Sequence, residues 1–223
     1  MDTTTSTAPA APPERAAKAR DRMLDVAEEL FAEFGFGGTS TRDIAAAAEV
    51  TLGSVHYHFT SKRQLYIEAF SRRAKPFVEE RMQLLREAYE RWPDGTIPLQ
   101  ELIRRYTFPL LQAALRPRGT HFARMHARMP SEQPDLVREL RNELYNESTA
   151  AYAQAFRQAL SFLSDETLYW RINFMLGLNA YTLLKSDRLA FLSGGKCNSE
   201  DLEAAMKHIV PFLEAGLRAP DPS

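Results

Sequence analysis

Gly53, Ser54, His56, Tyr57, His58 and Lys62 crowd one short stretch of the chain, GSVHYHFTSK. Three kinds of chemistry use such residues. Two histidines could ligate a metal, but His-x-His on a helix sets the rings about 200° apart. No acid or cysteine stands at ligand spacing beside them, so no metal site is expected. Nucleophilic catalysis needs a nucleophile held against a base. Cys197 sits in the Gly-rich loop SGGKCNSED and the histidines are scattered, so the chain is not expected to be an enzyme. Contact with phosphate is the third. Hydroxyls, imidazoles and N–H groups at a helix start all suit phosphate oxygens. Residues 40–75 carry six Lys/Arg (positions 42, 62, 63, 72, 73 and 75) against three acids (43, 49 and 68).

The elements around this stretch must be short helices. Ser40 with Asp43 three residues later is a capping-box variant that starts a helix at Thr41. Ile44, Ala47 and Ala48 can face inward on it, and its alanines keep it slim enough for a close crossing. Thr51 can cap a second helix with its hydroxyl. There Val55 and Phe59, four apart, point to the core. Gly53, Ser54 and Tyr57 then face the other way, with His56 and His58 on the flanks. Two short helices and a tight turn describe a helix-turn-helix, whose second helix fits a major groove. Gly53 would let its backbone approach the DNA closely. A surface helix of mixed polarity accounts for the same spacing. Lys62 and Arg63 open the next helix, where the dipole costs about 0.5 kcal/mol each; a phosphate contact would outweigh that.

At 223 residues the chain is one large domain, or a small one joined to a larger. With 44% apolar and 10% aromatic residues it can build a core, and a net charge of -1 announces no nucleic-acid binder by itself. One cysteine forms no internal disulfide, which suits a reducing cytoplasm. Residues 1–13, MDTTTSTAPAAPP, read as a disordered tail rather than a signal peptide. The longest apolar run, LYWRINFMLGLNAYTLL at 168–184, is interrupted by Arg171, Asn173 and Asn179 and is short for a membrane span. It predicts a helix buried nearly all round in a soluble protein.

No segment alternates convincingly over a strand length, so the fold is expected to be almost entirely helical. The pattern predicts helices over about 14–34, 41–48, 51–59, 61–90, 99–115, 121–129, 136–163, 168–184 and 202–217. In the first, Leu24, Ala27, Phe31 and Phe34 recur at helical spacing. The boundary between a small three-helix unit and a larger bundle is expected near residue 60.

The stretch TRDIAAAAEVTLGSVHYHFTSKRQLY resembles the DNA-binding signature of TetR-family repressors, and AEELFAEFGFGGTS is similar to the family's first helix and its exit. The resemblance covers about residues 15–70. It implies an all-α homodimer of about nine helices, with a helix-turn-helix unit at 14–60 and a ligand-binding and dimerisation bundle at 61–218. It implies a double-stranded, palindromic DNA operator as partner, a small-molecule effector and no cofactor. Carried over, Thr41 and Arg42 open the helix before the recognition helix, and Arg42 reaches for a base. Thr51, Leu52, Gly53, Ser54, His56 and Tyr57 approach the major groove, and His58 and Lys62 hold phosphates. His56 stands where the family most often has tyrosine. In the C-terminal half, LYWRINFMLG and HIVPFLEAGLRA resemble the fatty-acid-responsive branch of the PsrA type, implying a long-chain acyl effector, free or as a coenzyme A thioester.

Phe108, Leu111, Phe122, Met125, Met129, Tyr145, Tyr152, Phe156, Trp170 and Phe174 are the candidates for an apolar pocket. Each taken singly also reads as ordinary core. His121, Arg124, His126 and Arg128 share one short helix and could meet an anionic head group, or form a solvated basic face. The two C-terminal helices, 168–184 and 202–217, look too apolar for one small bundle. Pairing them across a two-fold axis would cover them; deeper burial within one subunit is the competing account. The leading expectation is a ligand-controlled repressor released by an acyl effector. The alternatives are a repressor answering an aromatic or drug-like ligand, and a helical module or enzyme without DNA activity.

Overall fold

The computed structural model describes residues 12–183 and 187–222, which are helices and connecting turns with no strand among them. Of the expected tail, residues 1–11 lie outside the described residues, while Pro12 and Pro13 already belong to the first helix. The end of the expected 168–184 helix likewise runs into residues outside the description. Among the described residues no helix is long and apolar enough to cross a membrane. The chain divides into two compact units, Met1–Ala69 and Phe70–Ser223.

The first unit holds α1 (Pro12–Gly38), α2 (Thr41–Ala47), α3 (Leu52–His58) and the opening turns of α4 (Lys62–Arg91). Met23, Leu24, Ala27 and Phe31 bury one stripe of α1. Phe34, expected on that stripe, is 50% exposed, at the last position before α1 breaks. Gly35 takes φ 72°, ψ 178°, a conformation costly for other residues, and breaks α1 there. The Tyr66 ring then meets both Phe31 and Phe36 edge to face, with centroids 4.8 and 5.5 Å away. On α2 the buried residues are Ile44, Ala45 and Ala48 rather than Ile44, Ala47 and Ala48. Glu49 turns the chain with φ 53°, so α3 starts at once after α2.

The expected boundary near residue 60 falls nine residues early relative to the division at Ala69/Phe70. Leu65 and Tyr66, one turn into α4, are fully buried parts of the first unit's core.

The second unit takes the rest of α4 with α5 (Leu99–Ala113), α6 (Gly119–Arg128), α7 (Pro134–Leu140), α8 (Asn146–Ala159), α9 (Asp165–Leu183), α10 (Arg188–Ser193) and α11 (Leu202–Arg218). The helix expected over 136–163 is present as α7 and α8, joined through a π-helical turn, Arg141–Tyr145. The short α10 falls in a stretch expected to be loop. A left-handed Arg118, φ 61°, leads into α6. A Cβ on Gly119 would stand 2.3 Å from the Ala113 carbonyl oxygen, so α5 and α6 meet this tightly only with glycine. α11 packs on α5 and α9, and α9 on α5, α6 and α8. Arg171 ties the end of α11 by donating to the carbonyls of Leu217 and Ala219 at 3.0 and 2.5 Å.

α9 departs most from expectation. Only Thr167, Leu168, Ile172, Met175, Asn179 and Leu183 are buried on it. Tyr169, Trp170, Phe174 and Tyr181 are each 56% exposed or more, as is Phe212 of α11. The run is apolar on both sides, and the described residues cover only one of them.

Candidate nucleic-acid interface

The helix-turn-helix is held by side-chain caps. Ser40 N–H donates to Asp43 Oδ2 at 2.9 Å, and Asp43 N–H donates to Ser40 Oγ at 3.2 Å, completing the capping box. The Ser40 bonds hold the Asp43 carboxyl below its ordinary range. Thr51 Oγ1 accepts from the Ser54 N–H at 3.1 Å and fixes the start of α3. Val55 and Phe59 are each 1% exposed, as the spacing predicts. The Arg20 guanidinium lies 5.2 Å from the Phe59 ring and pairs with Glu68, closing the base of the helix. With one side so fixed, the other is presented outward without slack.

That outward side carries Gly53, His56 and Tyr57, the tyrosine 82% exposed. Leu52, Ser54 and His58 are half-buried at its edges, and the Tyr57 and His58 rings meet edge to face at 5.0 Å. Thr51 is exposed, though its oxygen is already engaged as an acceptor. On α2, Arg42 is exposed and Thr41 half-buried. A Cβ at Gly53 would find only Thr51 Oγ1 at 3.8 Å, so nothing within the chain requires glycine there.

Lys62 is placed differently from its expected role. Its ammonium donates to the carbonyls of Phe36 and Thr39 at 2.8 and 2.9 Å and lies 4.2 Å from the Phe36 ring centre. The positive charge at the start of α4 therefore serves the carbonyls exposed where α1 breaks. It is half-buried and turned to its own chain rather than offered to a phosphate.

The expected ligand residues fall into two groups. Leu111, Phe122, Met125, Met129, Tyr145, Tyr152 and Phe156 are buried in the second unit, and Phe108 is half-buried. Phe122 and Tyr145 join Phe70 and Phe77 in one aromatic cluster, while Tyr152 meets Tyr106 at 5.0 Å in another. Trp170 and Phe174 do not join them. They lie on the exposed side of α9, their rings 5.8 Å apart, on a face that no described helix covers. The expected basic helix also disperses. Arg124 is exposed, whereas the His126 ring sits among Phe70, Phe77, Phe122 and Tyr145. Burial, and the Arg81 charge nearby, push His126 down to about 4.

Sequence reasoning passed over Arg81. It is 2% exposed on α4, four residues after buried Phe77. A basic residue continuing an apolar stripe was the signal that could have found it.

Known proteins agree with this architecture. Residues 23–69 match the model of bacterial regulatory proteins of the tetR family, and residues 104–216 that of the tetracyclin repressor-like C-terminal domain. The HTH-type transcriptional repressor KstR2 of Rhodococcus jostii (strain RHA1) is 34% identical over 84 residues, 38% of this chain and 39% of that protein. QacR, an HTH-type transcriptional regulator of Staphylococcus aureus, is 39% identical over 49 residues, 22% of this chain and 26% of that one. The chain thus spans about two fifths of the one relative's length and a quarter of the other's. The fold is shared with the fatty acid degradation regulator FadR from Bacillus halodurans at a TM-score of 0.61, 17% identity, and 95% and 99% of the two chains. It is also shared with NalD, the secondary repressor of the MexAB-OprM multidrug efflux pump in Pseudomonas aeruginosa, at 0.60, 21% identity, and 91% and 97%. An N-terminal helix-turn-helix and a helical C-terminal domain, each matching its own family model, make this chain a member of the TetR family of bacterial regulatory proteins.

Proposed function

We propose that the chain is a homodimeric transcriptional repressor of the cytoplasm that reads a palindromic operator in double-stranded DNA with α3 and is released by a small effector. The observation that carries this reading is the outer face of α3. Tyr57 is 82% exposed on a helix whose inner face, Val55 and Phe59, is wholly buried. A large aromatic side chain held out on a rigid short helix beside Gly53 and His56, clear of the core, suits a groove. Arg42 and Tyr57 read bases. Thr41, Thr51, Ser54, His56 and His58 contact phosphates or the groove wall, with Leu52 and Gly53 against it. Lys62 supports the α1 exit instead of the DNA.

The effector lodges in the second unit, against the aromatic and methionine side chains of α5, α6 and α8. Two features support an acyl chain: the apolar character of that core, and the shared fold with FadR of Bacillus halodurans, a fatty acid degradation regulator. The exposed α9 and α11 side chains form the dimer face.

A gel shift on the chain's own upstream DNA tests the reading. A symmetric footprint on an inverted repeat is expected, with affinity falling steeply as salt rises because phosphate contacts release counterions. No shift at any salt would leave a helical ligand-binding module without DNA activity. Release by a compact aromatic or drug-like cation, with no response to acyl chains, would keep the repressor and remove the acyl effector.

A further inference from the structure

Among the described residues, Arg81 is the one cation buried in the interior of the second unit. Arg81 is 2% exposed, and among the described residues no carboxylate pairs with it. Its Nε donates to the Tyr106 carbonyl at 3.0 Å. The guanidinium lies 3.9 Å from the Tyr106 ring centre and 5.3 Å from that of Phe77. Tyr152 holds the backbone at the same point by donating its hydroxyl to the Arg81 carbonyl at 2.9 Å. A guanidinium has five N–H donors in a planar fork. One carbonyl and two ring faces use only part of that capacity, and they supply no counter-charge. Buried charges are ordinarily paired, because taking an ion out of water costs several kcal/mol.

A neighbouring polar atom is also left over. His126 Nδ1 is buried with no hydrogen-bond partner, and His126 lies close enough to Arg81 for the guanidinium charge to disfavour its protonation. Around the two groups the core is aromatic, with Phe77 packed on both Phe122 and Tyr145. Unsatisfied polar groups are few in a native core and call for a partner.

We infer that the effector is an apolar monocarboxylic acid whose carboxylate is bound inside the bundle by Arg81, with its hydrocarbon body among the Phe77–Phe122–Tyr145 rings. This deepens the regulator reading above and rests on it. A carboxylate matches the guanidinium fork two bonds at a time. A single buried cation balances one negative charge, which selects a monoanion. A coenzyme A thioester has no carboxylate at its acyl end and cannot form this pair. The matching alcohol or amide fills the apolar walls but brings no charge. The head group is therefore recognised in the core, not at the exposed Arg124.

Calorimetric titration of the full chain with decanoate, decanol, decanamide and decanoyl-coenzyme A tests this, with Arg81→Gln and Arg124→Gln beside the unaltered chain. Decanoate is expected to bind at least about tenfold more tightly than decanol or decanamide. Arg81→Gln should bring acid and alcohol within about twofold by weakening only the acid, and Arg124→Gln should keep the preference. The ratio of acid to alcohol is a readout that a merely structural role for Arg81 would leave unchanged. Equal binding of acid and alcohol by the unaltered chain, tighter binding of the thioester, or loss of the preference in Arg124→Gln but not Arg81→Gln would overturn the inference. Should Arg81→Gln fail to fold, the comparison on the unaltered chain and on Arg124→Gln still decides. A gel shift without ligand is run separately. Acid binding through Arg81 without any DNA shift would sink the regulator reading alone, and a DNA shift with no acid preference would sink this inference alone.

Discussion

The Lys62 ammonium donates to the Phe36 carbonyl at 2.8 Å while lying 4.2 Å from the centre of the Phe36 ring. With its second bond, to Thr39, it satisfies carbonyls left open where α1 breaks at Gly35. Charge-assisted bonds of this kind contribute about 1.5–3 kcal/mol when buried, and less at a half-buried site. Lys62→Met is therefore expected to lower the stability of the first unit by about 1–2 kcal/mol. At temperatures where the variant is folded, its DNA affinity should keep the same salt slope. Thermal melts and salt titrations check both. An unchanged melt with a slope reduced by about one unit would return Lys62 to the phosphates.

Tyr57 and Arg42 should behave oppositely. Both are exposed and away from the core, so Tyr57→Ala and Arg42→Ala should shift stability by no more than about 0.5 kcal/mol. If they reach base edges, each change should cost about 1–3 kcal/mol of discrimination and relax sequence preference at one position per half-site. Binding-site selection from random DNA measures this directly. Unaltered preference in both variants would move base reading elsewhere on α2 and α3.

The helix-turn-helix was legible because its determinants are local. Ser40 with Asp43, Thr51 with Ser54 and Val55 with Phe59 each act within four residues, so spacing alone reveals them. Lys62 was not legible, since the carbonyls it serves lie 26 and 23 residues back. Only the fold brings them together. The same holds for Ala45 against Ala47, where the neighbouring helices choose which alanine is covered. On α9 the apolar run signals burial without saying by what. Trp170 and Phe174, expected beside Phe122 and Tyr145, stand instead on the exposed side of α9. Arg81 was hidden because charged residues are ordinarily assigned to solvent, and its aromatic partners come from α5 as well as α4.

His126 gives the second unit a definite response to acid. Its folded pKa is about 4 against an ordinary 6.5, because burial among aromatic rings, with the Arg81 charge nearby, disfavours the imidazolium. The folded state thus holds neutral His126 where the unfolded chain has begun to bind a proton. The resulting stability is fully present above about pH 6.5 and is lost as pH falls toward about 4, with a limiting slope of about 1.4 kcal/mol per pH unit. Replacing His126 with Leu should remove this one-proton component from pH-dependent melts. Parallel pH profiles for the two proteins would show that the ring is solvated when folded.

The aromatic face of α9 and α11 provides the last expectation. Trp170, Phe174 and Phe212 are 57%, 63% and 69% exposed, so they add little to the stability of a single chain. Exposed aromatic side chains on two helices that pack together are the composition expected of a subunit interface. Introducing a carboxylate there leaves the protomer intact but buries an uncompensated charge when two copies meet, at a cost of several kcal/mol. Phe174→Glu combined with Phe212→Glu should therefore give a folded monomer with the helical content of the unaltered chain. That monomer should lose operator binding, because only a two-fold dimer aligns both α3 helices with successive major grooves. Sedimentation measures the assembly, circular dichroism the fold and gel shift the binding. A dimer that survives both charges would place the two-fold contact on another face of the bundle. A monomer that still footprints a full inverted repeat would show that the DNA itself, and not this face, brings the two copies together.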